Sequence, residues 1–279
     1  MRWKSTVIAG ALAAATALAA PSVGAKDFKW AFQGNLNSLD PHGLFETFTI
    51  GFHGNIYEPL IAYDDNMNVV PALAESFEQT GPNTWRVKMR AGVKFHNGAP
   101  LTSKDIKASF DKIVFPAAGV PSSRKAFFKM VDKIEAPDDT TFIFKLKYAS
   151  SGFIPAVATP FNFIYSKADL DKHGFEWHTK NINGSGAFKF VEHQPGAHVM
   201  GARYDGYHHA GRPYLDGYKA ISAPKMATRL NAIRGGRADI EFRGFPPKAR
   251  DDLVKALGDK ITVQESDWNC ALFFTANHT

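Results

Sequence analysis

Cysteine is almost missing from this chain. Cys270 is the only thiol in 279 residues, which excludes an internal disulfide and leaves the fold to rest on its apolar core. Long apolar runs are scarce too. One stands out, residues 7–20, preceded by Arg2 and Lys4 and broken by Pro21, Ser22 and Gly24. It is rich in weakly hydrophobic alanine and falls short of the ~20 apolar residues of a membrane-spanning helix. With the small residues Val23-Gly24-Ala25 ahead of Lys26, it predicts a cleaved secretory signal over residues 1–25. No cysteine stands at that site for lipid attachment, so a soluble, periplasmic mature protein is expected. Blocks of one charge are lacking as well. Removing Arg2 and Lys4 with the leader takes the net charge from +6 to +4, and the remaining charges are spread out. Without a basic block or an aromatic–basic array, a dedicated nucleic-acid module is excluded. Internal repeats and low-complexity segments are also missing beyond the leader. So are a nucleophile elbow, a His-Glu-x-x-His run and a paired-cysteine motif, and no cofactor is expected.

What is present is a succession of short strands, tight turns and helices. Trp85, Val87 and Met89 alternate with Arg86, Lys88 and Arg90, the period-2 pattern of a half-buried strand. Val93 and Phe95 repeat it after Gly92, and Asn97-Gly98 is a turn that tolerates positive φ. Thr102 is placed to cap the following helix, with Asp105 as its capping-box partner. Ile106, Phe110, Ile113 and Val114 then fall on one helical face. Nearer the N-terminus, Phe28, Trp30 and Phe32 alternate with polar or small residues in a first strand. Leu39-Asp40-Pro41-His42 turns the chain toward a helix expected over 52–60, and Asp64-Asp65-Asn66 reads as a turn. Pro137-Asp138-Asp139 introduces a strand over 141–148, with Phe142, Phe144 and Leu146 on one side. Gln194-Pro195-Gly196-Ala197 joins two strands in a hairpin. Helices are expected over 226–234 and 249–257, stopped by Gly235-Gly236 and Gly258. Strands are expected from Ala238 and over 261–263.

Groups able to carry chemistry are few. Asp64-Asp65, Asp138-Asp139 and Asp251-Asp252 are adjacent carboxylates in turn or cap contexts, where neighbours point apart, so they read as solvated residues rather than an acid pair. Asn183-Gly184-Ser185-Gly186 lacks the Gly-Lys-Ser/Thr ending of a phosphate loop and reads as a backbone crossing. His193, His198, His208 and His209 form the sole histidine cluster. They are expected on the surface, because the sequence places no carboxylate beside them to complete a metal site. Cys270 has no His/Asn pattern that would make it a nucleophile, and a buried thiol is the commoner role.

The run from Ala74-Glu75-Ser76-Phe77 through Gly92-Val93-Lys94-Phe95-His96-Asn97-Gly98 to Asp105 resembles the signature of the family 5 extracellular solute-binding proteins. These are the peptide-, oligopeptide- and nickel-binding receptors of bacterial ABC importers. Tyr57-Glu58-Pro59-Leu60, Asn183-Gly184-Ser185-Gly186-Ala187-Phe188 and Gly211-Arg212-Pro213-Tyr214-Leu215-Asp216 are similar to further family segments. The resemblance covers residues 26 to 279. It implies an α/β fold, a periplasmic binding protein-like (type II) lobe with an inserted subdomain and with the second lobe largely absent. Residues 26–61 and 167–267 are expected to form the core subdomain, 62–166 the insertion, and 268–279 the crossover toward the missing lobe.

By the same resemblance the function is non-catalytic: a periplasmic, monomeric receptor for a peptide or other small solute, working with an inner-membrane permease and its ATPase. Phe45, Glu46 and Thr47 match a loop that contacts peptide backbone in the family. Trp268, Asn269, Cys270 and Ala271 match a strand lining the interlobe cleft. These seven are the expected ligand-facing residues, with no catalytic and no metal-binding residue. The residues that fix peptide termini come largely from the other lobe, so this chain alone is expected to bind peptides weakly or not at all. A secreted hydrolase with cleft carboxylates, or a non-functional receptor remnant, are the alternatives.

Overall fold

The structure is a computed structural model and describes residues 26–44, 46–241 and 244–265. Its first strand, β1 (Asp27–Phe32), runs parallel to β10 (Gly217–Ser222) on one side and to β11 (Ile240–Glu241) on the other. β10 pairs antiparallel with β9 (His198–Arg203), which forms the expected hairpin with β8 (Phe188–Gln194). The resulting five-stranded mixed sheet has the order β11-β1-β10-β9-β8. Helix α5 (Met226–Arg234) links the parallel strands β10 and β11, as a parallel crossover requires.

β1 departs from simple alternation because both of its faces are covered. Trp30 and Phe32 enter a core with Leu36, Leu39, Phe52, Ile56, Tyr57, Phe163, Tyr165 and Tyr218. Ala31, on the opposite face, packs with Ala223, Ala232 and Ala238. The small side chains there let α5 lie close against the sheet. Arg229 of α5 and Glu241 of β11 form a buried ion pair at 2.9 Å.

A second sheet holds β4 (Ala74–Gly81), β5 (Thr84–Met89), β7 (Thr141–Leu146) and β6 (Val131–Glu135), in the order β4-β5-β7-β6 and antiparallel throughout. Helix α2 (Ser103–Val114) lies on it. Thr102 and Asp105 form the expected reciprocal capping box. Ile106, Phe110, Ile113 and Val114 are all buried, with Phe110 edge-on to Phe144 at 5.1 Å. A short hairpin, β2 (Ile61–Tyr63) and β3 (Val69–Pro71), turns at Asp64, whose carboxylate accepts from the backbone N–H groups of Asn66 and Asn68. The second core is built entirely from residues between Leu60 and Ile164.

Polar contacts join the two cores. His96 donates its backbone N–H to Gly184 O at 2.8 Å, and Tyr204 donates its hydroxyl to Phe95 O at 3.1 Å. Gly184 and Gly186 press on the backbone of Ile56 so closely that a Cβ at Gly184 would lie 2.0 Å from Ile56 O. That pair is therefore a backbone crossing, as its sequence implied.

Three expectations fail. The helix expected over 52–60 is α1 (Thr47–His53), which stops at Gly54. Beyond it Ile56, Tyr57 and Leu60 are buried in non-helical chain, and Pro59 forms an isolated bridge to Phe163, a role its fixed ring suits better than a helix interior. Residues 261–265 form no strand. Thr262 and Val263 are exposed, and among the described residues no strand pairs with them. Asp251 and Asp252 lie within α6 (Pro247–Leu257) rather than at a cap, each within reach of a nearby cation, Arg250 and Lys248. The remaining helices are α3 (Phe153–Ala158) and α4 (Lys167–His173). Among the described residues, no helix is long and apolar enough to cross a membrane.

Candidate functional site

The loop ahead of α1 is held from beneath by a buried polar network. Asp40, 2% exposed, accepts from Lys112 Nζ of α2 at 3.1 and 3.2 Å, from the Tyr165 hydroxyl and from the backbone N–H of His42 at 2.9 Å. Burial alone would raise the Asp40 pKa. The Lys112 ammonium and the hydrogen bond from Tyr165 outweigh it, and the carboxyl sits at about 2. Lys112, in turn, is pulled below its ordinary value by burial, with Asp40 opposing. His42 contacts Phe163 O through Nε2 at 2.8 Å and stacks on Tyr165 at 4.3 Å, and Tyr165 stacks on His178 at 4.2 Å.

His53 ties α1 to the same network. Its Nδ1 lies 2.9 Å from Thr49 O and its Nε2 2.8 Å from Leu39 O. Burial brings its pKa down to about 4, so at neutral pH the ring carries one proton and donates to one of the two carbonyls. From the other side, Ser123 donates its backbone N–H to His42 O at 3.2 Å, and Arg124 Nη1 donates to Leu44 O at 2.9 Å. The Arg124 guanidinium lies over the Phe161 ring, 3.9 Å from its centroid. The segment 39–44 is therefore clamped between α1, α2 and the stretch at 123–124.

Of the seven expected ligand-facing residues, the structure describes two in part. Glu46 is the extended residue preceding α1; its carboxylate accepts from the Thr49 hydroxyl at 3.1 Å and from Asn37 Nδ2 at 3.4 Å. Thr47 is the first residue of α1, described by its backbone. Phe45, Trp268, Asn269, Cys270 and Ala271 lie outside the described residues. The structure thus places Glu46 at the head of α1, where its carboxylate is held by Thr49 and Asn37.

The carboxylate pairs serve local structure. Asp138 accepts from the backbone N–H groups of Thr140 and Thr141 and from the Thr140 hydroxyl, which holds its pKa at about 2. A carboxyl with that environment is a turn device, not a proton donor near neutral pH.

The expectation of surface histidines fails at His208. Its side chain is 6% exposed, with Nε2 2.8 Å from Glu58 Oε1. Glu58 is separated from it by 150 residues, so spacing along the chain carried no signal of the contact. His198 pairs instead with Glu192 at 2.6 Å on the β8–β9 hairpin.

Comparison with known proteins completes the picture. Residues 68–279 match the family model described as bacterial extracellular solute-binding proteins, family 5 Middle. The glutathione-binding protein GsiB of Pectobacterium atrosepticum is 31% identical over 266 residues, 95% of this chain and 50% of that protein. GsiB of Escherichia coli strain K12 is also 31% identical, over 83% of this chain and 45% of that protein. Among solved structures, AgaA of A. tumefaciens R10 in complex with agropinic acid superposes with a TM-score of 0.75 at 28% identity, covering 82% of this chain and 46% of that one. The oligopeptide-binding protein AppA of Bacillus subtilis, in complex with a nonapeptide, gives 0.74 at 26% identity over the same shares. The chain spans about half the length of the relatives it matches.

Proposed function

Because the chain belongs to the family 5 bacterial extracellular solute-binding proteins, we propose that it is the N-terminal lobe of a periplasmic receptor that delivers peptides to an ABC importer. The observation that carries this reading is the family match over residues 68–279, together with superposition on ligand-binding relatives at a TM-score of 0.75. Relatives named for glutathione and for a nonapeptide support a peptide cargo. The cargo lies extended against Phe45, Glu46 and Thr47 on one side and Trp268, Asn269, Cys270 and Ala271 on the other. Its backbone N–H and C=O groups pair as an added strand would. No bond in it is made or broken. The protein is exported by the signal at residues 1–25, acts as a monomer and hands its cargo to an inner-membrane permease powered by an ATPase. Residues 26–61 with 167–267 form one subdomain and 62–166 another, a division supported by the two separate hydrophobic cores.

Closure supplies the affinity of such a receptor, since the cargo stabilises the closed state only through contacts with both lobes. A complete clamp with a Kd of about 1 μM gains about 8 kcal/mol; one lobe making half the contacts retains about 4, a Kd near 1 mM. Titrating the purified chain with glutathione and tri- to pentapeptides, followed by NMR, is expected to give millimolar binding with shifts at residues 45–47 and 268–271. The Glu46→Ala variant is expected to lose those shifts. Micromolar binding would overturn the half-clamp, shifts confined to other surfaces would overturn the site, and peptide cleavage would overturn the non-catalytic role.

A further inference from the structure

Glu58 lies where the chain passes from the first core to the second, and its carboxylate is only 10% exposed. Oε1 accepts from the Tyr207 hydroxyl at 3.2 Å and lies 2.8 Å from His208 Nε2. The other oxygen, Oε2, is sealed from solvent and has no hydrogen-bond partner among the described residues, and neither has Nδ1 of the buried His208 ring. Buried polar atoms are nearly always satisfied, and those that are not call for a missing ion or water. His209 brings a second imidazole, its ring centroid 4.2 Å from that of His208. The two adjacent histidines sit on a bend, outside any helix or strand, and so converge where regular structure would point them apart. One ligand atom from each of Glu58, His208 and His209 lies within 4.8 Å of the others.

We propose that Glu58, His208 and His209 bind a divalent transition-metal ion of the zinc class. Two imidazoles and one carboxylate are the donor set of borderline ions; calcium and magnesium take oxygen ligands throughout. Ligand atoms about a tetrahedral zinc stand ~3.4 Å apart at bond lengths of ~2.1 Å, so small side-chain rotations bring this trio into place. The ion takes one oxygen of Glu58 and one ring nitrogen of each histidine, and a ligating nitrogen that carries a proton gives it up to solvent on binding. Tyr207 orients the carboxylate from behind, as outer-shell donors do in metal sites. Arg90 and Arg212 act electrostatically on His209, and their positive charge opposes a dication. The ion joins the segment at Tyr57–Glu58 to the loop between β9 and β10, so it raises the melting temperature by binding only the folded chain.

The test is isothermal titration of the chelator-treated chain with zinc chloride, with cobalt(II) absorption reporting ligand geometry. One ion per chain is expected. His209→Ala is expected to weaken binding by about 100-fold or more, and Tyr207→Phe by about 10-fold. His198→Gln, at the separate Glu192 pair, is expected to leave binding unchanged. Melting in EDTA, followed by circular dichroism, verifies that each variant folds like the parent. Absence of saturable zinc uptake, full affinity in a folded His209→Ala variant, or loss of binding in a folded His198→Gln variant would each overturn the site.

Discussion

Asp40 and Lys112 show at the level of single side chains what holds the loop ahead of α1. Their side chains are 2% and 6% exposed, and each ion is tolerated only because the other is there, with Tyr165 and the His42 N–H completing the carboxylate's partners. Truncating one member of such a pair leaves an uncompensated buried charge, at a cost of about 3–5 kcal/mol. Lys112→Met is expected to lower the unfolding free energy by that amount in urea denaturation. The double variant Asp40→Asn/Lys112→Met, which buries no charge, is expected to recover most of the loss. A single variant as stable as the parent would remove this network as the anchor of residues 39–44.

At the level of elements, α2 is the member whose local sequence and packing agree most fully. Its first turn is closed by Thr102 and Asp105 acting on each other's backbone N–H groups, and its apolar face covers Phe142 and Phe144. Asp105 also accepts from the backbone N–H of Lys167 at 2.7 Å through Oδ1, so the cap fastens α2 to the start of α4 as well. Thr102→Ala removes one oxygen acceptor and is expected to cost about 1 kcal/mol, read as a lower urea midpoint with an unchanged slope. Asp105→Ala, which also strands the Lys167 N–H, is expected to cost more. Equal losses in the two variants would show that the link to α4 contributes nothing.

For the whole molecule, acidity is the informative variable. His42, His53 and His178 are buried, His96 is half-buried, and desolvation lowers the pKa of all four, to about 4 for His53, His96 and His178. The unfolded chain binds protons at these rings from about pH 6.5 downward and the folded chain does not, so stability rises with pH across that window. Their contribution is complete above about pH 6.5 and is lost as pH falls toward 4. Asp40, with its carboxyl at about 2, adds stability that is present above about pH 4 and disappears between there and pH 2. Urea midpoints measured from pH 7.5 to 3 are expected to fall steadily below pH 6.5, without a plateau at pH 5. A midpoint flat between pH 7 and 5 would contradict the buried neutral histidines.

The sequence by itself determined the elements whose information is local: α2 with its capping box, the hairpin at Pro195-Gly196, the end of α5 at Gly235 and the two glycines at the Ile56 crossing. Each depends on residues a few positions apart, or on a backbone requirement that only glycine meets. The proposal of residues 45–47 and 268–271 as ligand-facing rests on the resemblance alone, since nothing in their spacing carries a chemical signal. Only the tertiary structure decided the rest. Helix α1 ends at Gly54 because Ile56, Tyr57 and Leu60 find buried places outside a helix. Ala31 is small because α5 packs on the second face of β1. Glu58 meets His208 across 150 residues because the turn after β9 folds back over the start of the second core. Contacts between distant segments depend on how the sheets and helices pack, and no pattern along a single stretch of chain encodes them.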